Sequence, residues 1–329
     1  DFATAGNAFI VNSSNNLDVD FESTGEDYYW DFLFLTPDNQ NVVTYYETTG
    51  LPFLLNLVYG PNAQVNYRAS YSLDANIPLD LIGGFLPVEI SEVNQYSKLS
   101  PDSLTLLGLS MSVDGNGIPA RSDTIETRLK FPLSYGNTHF SRGYTKLNMN
   151  PILDAQWIQH RTRATEVDGW GTIKTIHGTY DALRVKHEIT ESDSFYYQGT
   201  WIPIPVPPTV EYEWWGDGQL LPILKISTVL VGGFEQVTAV EFRDEDYVGL
   251  DEIDLIAEVY PNPSSGEIKV SLKESVNSIE ILDLNGRVLL NDSNPQLINT
   301  YSIQQFEAGV YLLRVNNTYV TKRIRFVKN

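Results

Sequence analysis

The chain of 329 residues contains no cysteine, and it has only four histidines and two methionines. The absence of cysteine excludes disulfide bonds, thiol nucleophiles and zinc or iron–sulfur sites with cysteine ligands. No apolar run approaches the ~18 residues that a membrane-spanning helix needs. A convincing helical stripe is also missing. The fold must therefore be held together by packing or by ions, without covalent cross-links.

Basic residues are scarce as well. The chain has 22 lysines and arginines against 42 aspartates and glutamates, which gives a formal net charge of -20. Residues 257–329 hold eight basic and seven acidic residues, so the excess of negative charge lies in residues 1–256. An acidic surface repels nucleic acid and anionic lipid. We expect no nucleic-acid partner, and we interpret the charge as a solvated surface.

Sequence patterns of known catalytic sites are absent. The chain has no Gly-x-Ser-x-Gly elbow, no His-Glu-x-x-His pair, no phosphate-binding loop and no dinucleotide fingerprint. The histidines do not have the spacing of a metal site or of a catalytic triad; they are His139, His160, His177 and His187. A glycosidase, however, needs only two carboxylates that the fold brings together. A hydrolase of the glycosidase or peptidase class is therefore the alternative to a binding or structural role.

Strand patterns dominate residues 1–242. Short runs rich in β-branched and aromatic residues are separated by Gly, Pro, Asn and Asp clusters, as expected where strands reverse. The predicted strands are residues 8–11, 28–35, 42–46, 53–59, 104–113, 125–131, 171–176, 182–188, 210–215, 223–230 and 237–242. We predict an all-β, sandwich-like region of one or two subdomains. A stretch rich in glycine, asparagine and proline at residues 114–121 is the candidate seam between them.

Two other stretches lack the character of a central strand. Residues 243–256 are acidic, and like charges extend a chain, so we expect a linker there. Residues 200–208 contain four prolines. Proline cannot donate a ladder hydrogen bond, so we expect this segment at a sheet edge or crossing the surface.

Three aromatic clusters are the best candidates for a ligand site. They lie at residues 28–30, 195–201 and 212–215. Tyr and Trp rings bury an apolar face and keep a polar group, which suits a sugar or another surface partner. Side chains alternate between the two faces of a strand, so about half of these rings are expected in the core. The candidate ligand-binding rings are Trp201, Trp214 and Trp215.

No cofactor is expected. Two acidic segments could donate oxygen atoms to calcium, namely Asp114-Gly115-Asn116-Gly117 and Asp244-Glu245-Asp246. The first lacks the ligand spacing and the terminal glutamate of an EF-hand loop. We interpret the two segments as a turn and part of a linker.

The last seventy or so residues have an organisation of their own. Pro261 and Pro263 each remove a backbone donor, so the chain there leads into a sheet and does not lie within one. Ile268, Val270 and Leu272 then alternate with polar residues. This period of two predicts a strand with one buried face.

Hairpin signals follow in the same region. Asn285-Gly286 separates two apolar runs, and this pair tolerates the positive φ angles of a two-residue hairpin turn. Residues 309–315 and 319–327 predict a final hairpin. We expect five to seven short strands, enough for a small immunoglobulin-like sandwich.

In their order and spacing, these features resemble the type A C-terminal sorting domain of cargo exported by the type IX secretion system of Bacteroidota. The resemblance spans residues 257–329. It rests on Pro261, Asn262, Pro263, Gly266, Asp283, Asn285, Gly286, Gly309, Tyr311 and Lys328. One departure is Glu307, where the family often has a proline ahead of its Gly-x-Tyr motif. An ordinary terminal sandwich domain is the alternative interpretation.

The resemblance implies a secreted or cell-surface protein that is exported through the periplasm and recognised by the type IX machinery of the outer membrane. It also implies cleavage in the linker after export, and Asp1 is expected to follow a removed signal peptide. Residues 1–242 are similar to secreted proteins of the same group that have no assigned activity. Ser103 and Thr124 follow aspartate in short patterns that resemble the O-glycosylation pattern of Bacteroidota. We expect a binding or structural module, with a secreted hydrolase as the alternative.

Overall fold

The computed structural model describes residues 2–75, 90–113, 116–150, 152–249, 257–272, 276–283, 287–316 and 321–329. These residues are nearly all β, which confirms the predicted fold class. The chain divides into two compact units, residues 1–247 and residues 248–329. Within the described residues, no helix is long and apolar enough to cross a membrane.

The first unit is built on a sheet of fourteen strands. Its elements in chain order are β1 (Asn7–Ser14), β2 (Tyr28–Asp31), β3 (Asn39–Thr44), α1 (Phe53–Val58), a 3-10 helix (Val65–Tyr67), β4 (Tyr71–Asp74), β5 (Ile90–Leu99), β6 (Ser103–Val113), β7 (Asn116–Lys130), β8 (Thr138–Asn148), β9 (Ala155–Thr175), β10 (Gly178–Tyr197), β11 (Thr200–Ile204), β12 (Thr209–Gly216), β13 (Leu224–Val231) and β14 (Phe234–Gly249). The strand order is β3-β1-β14-β13-β12-β10-β9-β8-β7-β6-β5-β4. Strand β11 pairs with β10, and β2 runs parallel to β9.

The large sheet curls until its first and last strands meet. Just beyond β3, Tyr46 exchanges two backbone hydrogen bonds with Ser72 of β4, with N···O distances of 2.9 and 3.0 Å. Phe9 of β1, Tyr71 of β4 and Val167 of β9 share one buried cluster, although their strands are far apart in the strand order. The large sheet therefore closes on itself around a shared interior.

The interior has two ends. At the tip end β9 begins and β10 finishes, and Met111, Trp157 and Phe195 pack there. At the mouth end β9 finishes and β10 begins, near Val167 and Val185. Between these apolar clusters the inward side chains of β7, β9, β10 and β12 are largely charged.

Residues 53–58 form helix α1, so the strand predicted over residues 53–59 was wrong. A short apolar run suits a strand and a helix equally well. Pro52 precedes the first turn, and the amides of Tyr59 and Gly60 donate to the carbonyls of Leu55 and Asn56 at the last turn. The helix buries Leu55 fully and Val58 in part, and it leaves Phe53, Leu54 and Leu57 at the surface.

Two predicted breaks in the chain turn out to be strands. Strand β14 continues through residues 243–249, and the carboxylate of Asp244 accepts hydrogen bonds from Asn12 (3.0 Å) and Gln40 (3.1 Å). Amide partners of this kind allow an acidic residue to lie in a sheet. The remaining residues of the predicted linker, 250–256, lie outside the described residues. In the candidate seam, residues 116–121 belong to β7 and pair with β6 inside one unit, and residues 114–115 are not described.

The proline-rich segment lies where it was expected. Its first part is the short strand β11, which pairs with β10 and stands off the main strand order. Because β11 has one partner strand, Pro203 loses no ladder bond that a central strand would need.

The second unit is a sandwich of two sheets. Its elements are β15 (Ala257–Tyr260), β16 (Glu267–Leu272), β17 (Ser278–Leu282), β18 (Val288–Asp292), β19 (Ile298–Ser302), β20 (Gly309–Asn316) and β21 (Thr321–Lys328). One sheet has the order β15-β16-β19, and the other has the order β18-β17-β20-β21. Ile268, Val270 and Leu272 are buried, as their alternation predicts, and they share a core with Ile281 and Leu313 of the facing sheet.

Candidate functional site

A groove of about 710 Å³ opens at the mouth end of the large sheet. Its floor is a row of three side chains, Trp170, Leu183 and Trp215, which are direct register partners on β9, β10 and β12. Neighbouring strands lie about 4.8 Å apart, so the backbones of the two tryptophans are separated by roughly 10 Å. The row therefore places two indole rings on either side of one aliphatic side chain.

An irregularity in β9 turns Trp170 into this row. Arg184 pairs with Gly169 and Val185 pairs with Val167, so Asp168 is an extra residue in the ladder. A bulge of this kind shifts the alternation of the strand by one position. The ring of Trp170 consequently faces the same side as Val167 and keeps 40% of its surface exposed.

Gly171 allows β2 to approach this part of β9. Its φ of +155° is rare for residues with a side chain, and a Cβ atom there would lie 1.9 Å from the carbonyl oxygen of Tyr28. Only glycine fits this close parallel pairing. Strand β2 thus covers one side of the backbone at Gly169-Trp170-Gly171, and the Trp170 ring faces the groove on the other side.

Other aromatic rings extend the groove wall. The Phe2 ring lies between Trp215 and Phe131, with centroid distances of 5.0 and 4.5 Å. Phe2, Phe131 and Leu133 also line the groove. The Phe2 ring therefore joins Trp215 and Phe131 into one continuous apolar wall.

The polar side of the groove is acidic. Asp27, Asp181 and Asp217 line it and are exposed, and the lining residues within the described part of the chain include no lysine or arginine. Carboxylates accept hydrogen bonds from hydroxyl groups. The groove therefore combines flat apolar surfaces with strong acceptors and no cation.

Trp215 is fixed from beneath by a buried carboxylate. Its indole Nε1 donates to Oε2 of Glu213 at 3.0 Å, and Glu213 is fully buried. Glu213 forms an ion pair with Arg128, and His187 Nε2 lies 3.5 Å from its Oε2. Burial opposes the ionisation of Glu213, but the charge of Arg128 and the contact with His187 outweigh it and hold its pKa well below the usual range. An ionised acceptor thus orients the indole ring.

Deeper in the interior, further carboxylates are engaged in ion pairs. Arg163 Nε donates to Glu126 at 2.6 Å, and its Nη1 donates to Glu211 at 3.2 Å. Lys225 also contacts Glu211 at 2.9 Å. The void next to Glu126 and Arg161 measures about 20 Å³, which is room for about one water molecule. These carboxylates form a charged layer and do not line a substrate cleft.

Asp193 lies below this layer, toward the tip end. It is 3% exposed, and its Oδ2 accepts a hydrogen bond from Trp157 Nε1 at 3.0 Å. Burial and the neighbouring charge of Glu191 raise the pKa of Asp193 to about 7. Near neutral pH its carboxyl group therefore titrates inside the protein.

The structure separates the three predicted ligand-binding tryptophans. Trp214 has no exposed surface and packs edge-on against Trp30 (6.0 Å) and Phe32 (5.4 Å), so its assignment as a ligand-binding ring was wrong. Its neighbour Trp215 faces the groove, because adjacent residues on a strand point to opposite faces. Trp201 lies at the tip end, beside Tyr196 on β11's partner strand.

Sequence reasoning missed Trp170 and Phe2. Trp170 lies in a Gly-x-Gly context after an Asp-Gly turn signal, which can mark a bulge in a strand. That signal could have identified it. Nothing in the sequence near Phe2 indicates its role, because the contact with Trp215 joins distant parts of the chain.

The histidines do not converge on one site. His160 packs on Tyr144 at a centroid distance of 4.7 Å, and His177 Nδ1 lies 3.6 Å from Asp244 Oδ1. His187 is buried, and burial lowers its pKa, whereas His139 is half-buried beside β7.

No metal site emerges within the described ranges, where no group of three or more His, Asp or Glu side chains is suited to hold an ion. Of the first candidate calcium segment, Asn116 and Gly117 begin β7 and the two preceding residues lie outside the described ones. Of the second, Asp244 is held by amides, and the side chains of Glu245 and Asp246 are not described.

In the second unit, the predicted opening motif is fastened to the last strand. The Asn262 side chain donates to the carbonyl of Arg325 at 3.2 Å and accepts from the amide of Val327 at 2.9 Å. Two residues further on, the amide of Ser264 donates a hydrogen bond to the Val327 carbonyl at 2.9 Å. Asn262 thus works as a clamp between the flanking residues Pro261 and Pro263 and strand β21.

The other motif residues of this unit also have structural roles. Asp283 accepts from the backbone amide and Nε of Arg287 across the β17–β18 hairpin, at 3.0 and 3.2 Å. Asn285 and Gly286, the predicted turn, lie outside the described residues. The carbonyl of Gly266 accepts from the Ile303 amide at 2.9 Å.

The final hairpin carries the Gly-x-Tyr motif. Gly309 pairs with Lys328 across β20 and β21. The Tyr311 hydroxyl donates to the carbonyl of Glu307 at 2.8 Å, and its ring stacks on Phe326 at 5.7 Å. Glu307 stands where the family often has proline. Because it is the main-chain carbonyl of this residue that accepts the hydrogen bond, the departure from proline leaves the contact intact.

Comparison with known proteins identifies this second unit. Residues 258–329 match a family model described as a secretion system C-terminal sorting domain. No curated protein and no solved structure shows a significant match to the chain. Residues 258–329 are therefore a C-terminal sorting domain, and the chain is a cargo of the type IX secretion system, destined for secretion and the cell surface.

Proposed function

We propose that the first unit is a binding module that holds a glycan in the groove between Trp170 and Trp215. The observation that supports this function is the row of two indole rings beside three exposed aspartates. Sugar rings present C–H faces that pack on aromatic surfaces, and their hydroxyl groups donate to carboxylates. The roughly 10 Å between the tryptophans suits an oligosaccharide better than a single sugar.

The charge of the groove selects among glycans. Its carboxylates repel uronic acids and sulfated sugars, and no lining lysine or arginine compensates for this repulsion in the described residues. The ligand is therefore a neutral glycan.

A glycan array probed with the full chain tests this function. We expect binding to neutral oligosaccharides, and a loss of about tenfold or more in affinity for Trp170→Ala and for Trp215→Ala. Trp201→Ala is the matched control, because it removes an exposed indole at the opposite end of the sheet. Equal affinity of all three variants and the parent chain would refute the groove as the glycan site.

The aspartates of the groove also favour a second candidate function, a glycosidase. Two carboxylates on either side of a bound sugar are sufficient for hydrolysis. Chromogenic glycosides and peptides distinguish the two roles. The binding role predicts no turnover, whereas steady turnover that is lost in Asp181→Asn or Asp217→Asn would establish the enzyme.

For export, we propose that the sorting domain is recognised by the outer-membrane machinery and then removed. Type A membership and a Bacteroidota source stay predictions from the resemblance, and the immunoglobulin-like topology stays a prediction from the strand pattern. Deleting residues 257–329 should trap the first unit in the periplasm with its melting temperature nearly unchanged. Mature protein from culture should end between residues 242 and 259. Normal surface amounts of the truncated chain would contradict this route.

We propose Thr124 as the better of the two O-glycosylation candidates. Thr124 is exposed on β7, whereas the Ser103 hydroxyl bonds with Asp102 Oδ1 and Ser100 Oγ, both at 3.0 Å. Mass spectrometry of the chain from its native host should show a glycan mass that disappears in Thr124→Ala. A glycan on Ser103 alone would reverse this preference.

A further inference from the structure

The connection between β7 and β8 encloses a second pocket, of about 350 Å³, next to the groove. We call it the loop pocket. Besides residues of the connection, it is lined by Lys130 and His139 at the adjoining strand ends and by Thr165 and Val167 of β9. Residues 131–133 also line the groove, so the two sites share one wall.

Backbone hydrogen bonds fix this connection to its neighbours. The amide of Gly136 donates to the carbonyl of Val167, and the amide of Val167 donates to the carbonyl of Asn137, both at 2.9 Å. At the other end, the amide of Phe131 donates to the carbonyl of Asp102 at 2.8 Å. Because the rim is held at both ends, a ligand can enter the loop pocket without first ordering the chain.

The loop pocket and the groove have opposite charge. The described lining residues of the loop pocket include one lysine and one histidine and no aspartate or glutamate, in a chain with a formal net charge of -20. Lys130 is exposed and has no ion pair within the described residues. The carboxylate of Asp102, on the turn beside it, accepts hydrogen bonds from the hydroxyls of Ser100 (2.6 Å) and Ser103 (3.0 Å). Lys130 therefore brings an unpaired positive charge to the pocket.

His139 brings hydrogen-bonding groups that the rest of the chain leaves unused. Its two ring nitrogens are buried, and neither has a hydrogen-bond partner among the described residues. A buried polar group without a partner destabilises the fold, and a ligand that bonds with it removes that cost. Burial and the charges of Lys130 and Arg163 lower the pKa of His139. At neutral pH the ring is therefore neutral with one N–H donor, and the potential around it is positive.

The other charged or titratable side chains around His139 are paired, neutral or on the outer face of the sheet. They are Arg128, Arg163, His187, Glu166, Lys186 and Glu188. Arg128 and Arg163 are paired with buried glutamates, and Lys186 is paired with Glu188 at 2.8 Å. Burial lowers the pKa of His187, so its ring is neutral at neutral pH. Glu166 is exposed, where water and salt screen its charge.

We propose that the loop pocket binds a small monocarboxylic acid with an apolar body. The carboxylate pairs with the ammonium group of Lys130 and accepts a hydrogen bond from His139, whose half-buried ring turns toward it. The apolar body packs on Phe131, Leu133 and Val167, which line the pocket. One lysine balances one negative charge, so a monoanion fits better than a dianion, whose second charge stays unpaired in an acidic chain.

The proposal predicts a link between ligand binding and the protonation of His139. A carboxylate beside the ring favours the imidazolium form, so the bound ligand should raise the pKa of His139. Affinity should therefore increase as the pH falls from 8 to about 5.5. The ligand stays ionised over this range, because an ordinary carboxyl group titrates near pH 4.

NMR titration of the full chain with benzoate tests the site. Benzamide is the matched control ligand, because it has the same shape without the charge, and it should bind about tenfold or more weakly than benzoate. Lys130→Met should weaken benzoate binding by a similar factor. Lys146→Met is the matched control variant, because Lys146 is exposed on β8 outside the loop pocket, and it should bind like the parent. Unchanged melting temperatures would show that both variants are folded.

A second measurement follows the histidine directly. His139→Gln identifies the ring signals of His139, whose pKa in the parent chain should rise by about 0.5 or more in saturating benzoate. Absence of benzoate binding at any concentration would overturn the proposal, as would equal affinity for benzoate and benzamide, a result that needs no variant. An unchanged pKa of His139 in saturating benzoate would place the ligand elsewhere. If sulfate binds more tightly than benzoate, the pocket is a site for inorganic anions and the assignment to an organic acid is wrong.

Discussion

The two ends of the large sheet carry aromatic side chains in opposite chemical surroundings. At the mouth end, Trp170 and Trp215 stand beside exposed aspartates in a groove of about 710 Å³. At the tip end, Trp201 and Ile202 stand on the β10–β11 connection, in a stretch, residues 195–210, that contains no charged residue. The comparison teaches that an exposed indole does not specify a ligand by itself. The acceptors around it decide between a sugar and an apolar surface.

The ends also differ in how their rings are held. Trp215 is hydrogen-bonded to the buried Glu213, which in turn is paired with Arg128. Trp201 has a ring contact with Tyr196 at 5.3 Å on a hairpin outside the main strand order. A fixed ring suits selective binding, because little side-chain freedom is lost when a ligand packs on it.

The largest expected effect separates the adjacent residues Trp214 and Trp215. Trp214→Ala should lower the free energy of unfolding by about 3–5 kcal/mol, because it empties a buried site between Trp30 and Phe32. Trp215→Ala should cost less stability and remove glycan binding instead. Urea denaturation and glycan titration check both variants. Similar destabilisation by the two substitutions would show that Trp215 is a core residue and that the mouth end has no free ring.

Breaking the support of Trp215 should have the next largest effect. Glu213→Gln takes from the partly buried Arg128 its ion-pair partner, so the free energy of unfolding should fall by about 2 kcal/mol. Glycan affinity should also fall, because the acceptor beneath the indole is disturbed. The control is Glu188→Gln in the exposed pair with Lys186, expected to cost less than about 1 kcal/mol. Unaltered glycan affinity in Glu213→Gln would show that the groove does not depend on this support.

The interior between the two ends should respond to pH. The pKa of Asp193 is about 7, above the ordinary aspartate value near 3.9. The folded chain therefore keeps a proton that the unfolded chain releases, and the free energy of unfolding should fall as the pH rises from about 4 to about 7. Asp193→Asn should remove that fall, which we expect to be about 3 kcal/mol between pH 4.5 and pH 8. Chemical denaturation at pH 4.5 and pH 8 measures it, and a variant with the same pH slope as the parent would contradict the assignment.

The smallest expected effect is that of Phe234→Ser, which should change neither glycan binding nor stability appreciably. Phe234→Ser should leave glycan affinity unchanged and shift the free energy of unfolding by less than about 0.5 kcal/mol, because the side chain has few protein contacts to lose. Isothermal titration with the glycan and urea denaturation of Phe234→Ser check both expectations. A loss of glycan affinity in this variant would mean that the β13–β14 turn is coupled to the groove.

Much of the sorting domain is readable from the sequence. The alternation of Ile268, Val270 and Leu272 predicts a buried strand face, and the predicted hairpin corresponds to the pairing of β17 with β18. Short strands with one buried face leave a period of two in the sequence, and the motif residues recur at recognisable intervals. The sequence of each strand is enough to predict its buried face there, because its partner strands show the same alternation of apolar and polar residues.

The first unit shows where local patterns stop being informative. Residues 53–58 are helical despite an apolar run that equally predicts a strand, and residues 243–249 are a strand despite their acidity. At Asp244 the contacts that hold the strand come from distant residues, the amides of Asn12 and Gln40. A pattern confined to the segment itself cannot register those contacts.

The sequence by itself determined that this protein is all-β, acidic, free of cysteine and equipped with a sorting domain. Only the tertiary structure decided that Trp214 is core, that Trp215 joins Trp170 in a groove, and that Trp201 stands at the opposite end. The physical reason is the alternation of side chains along a strand, together with one bulge at Asp168 that reverses it. Which face of a sheet meets solvent depends on how distant strands close around it, and that closure is a property of the whole fold.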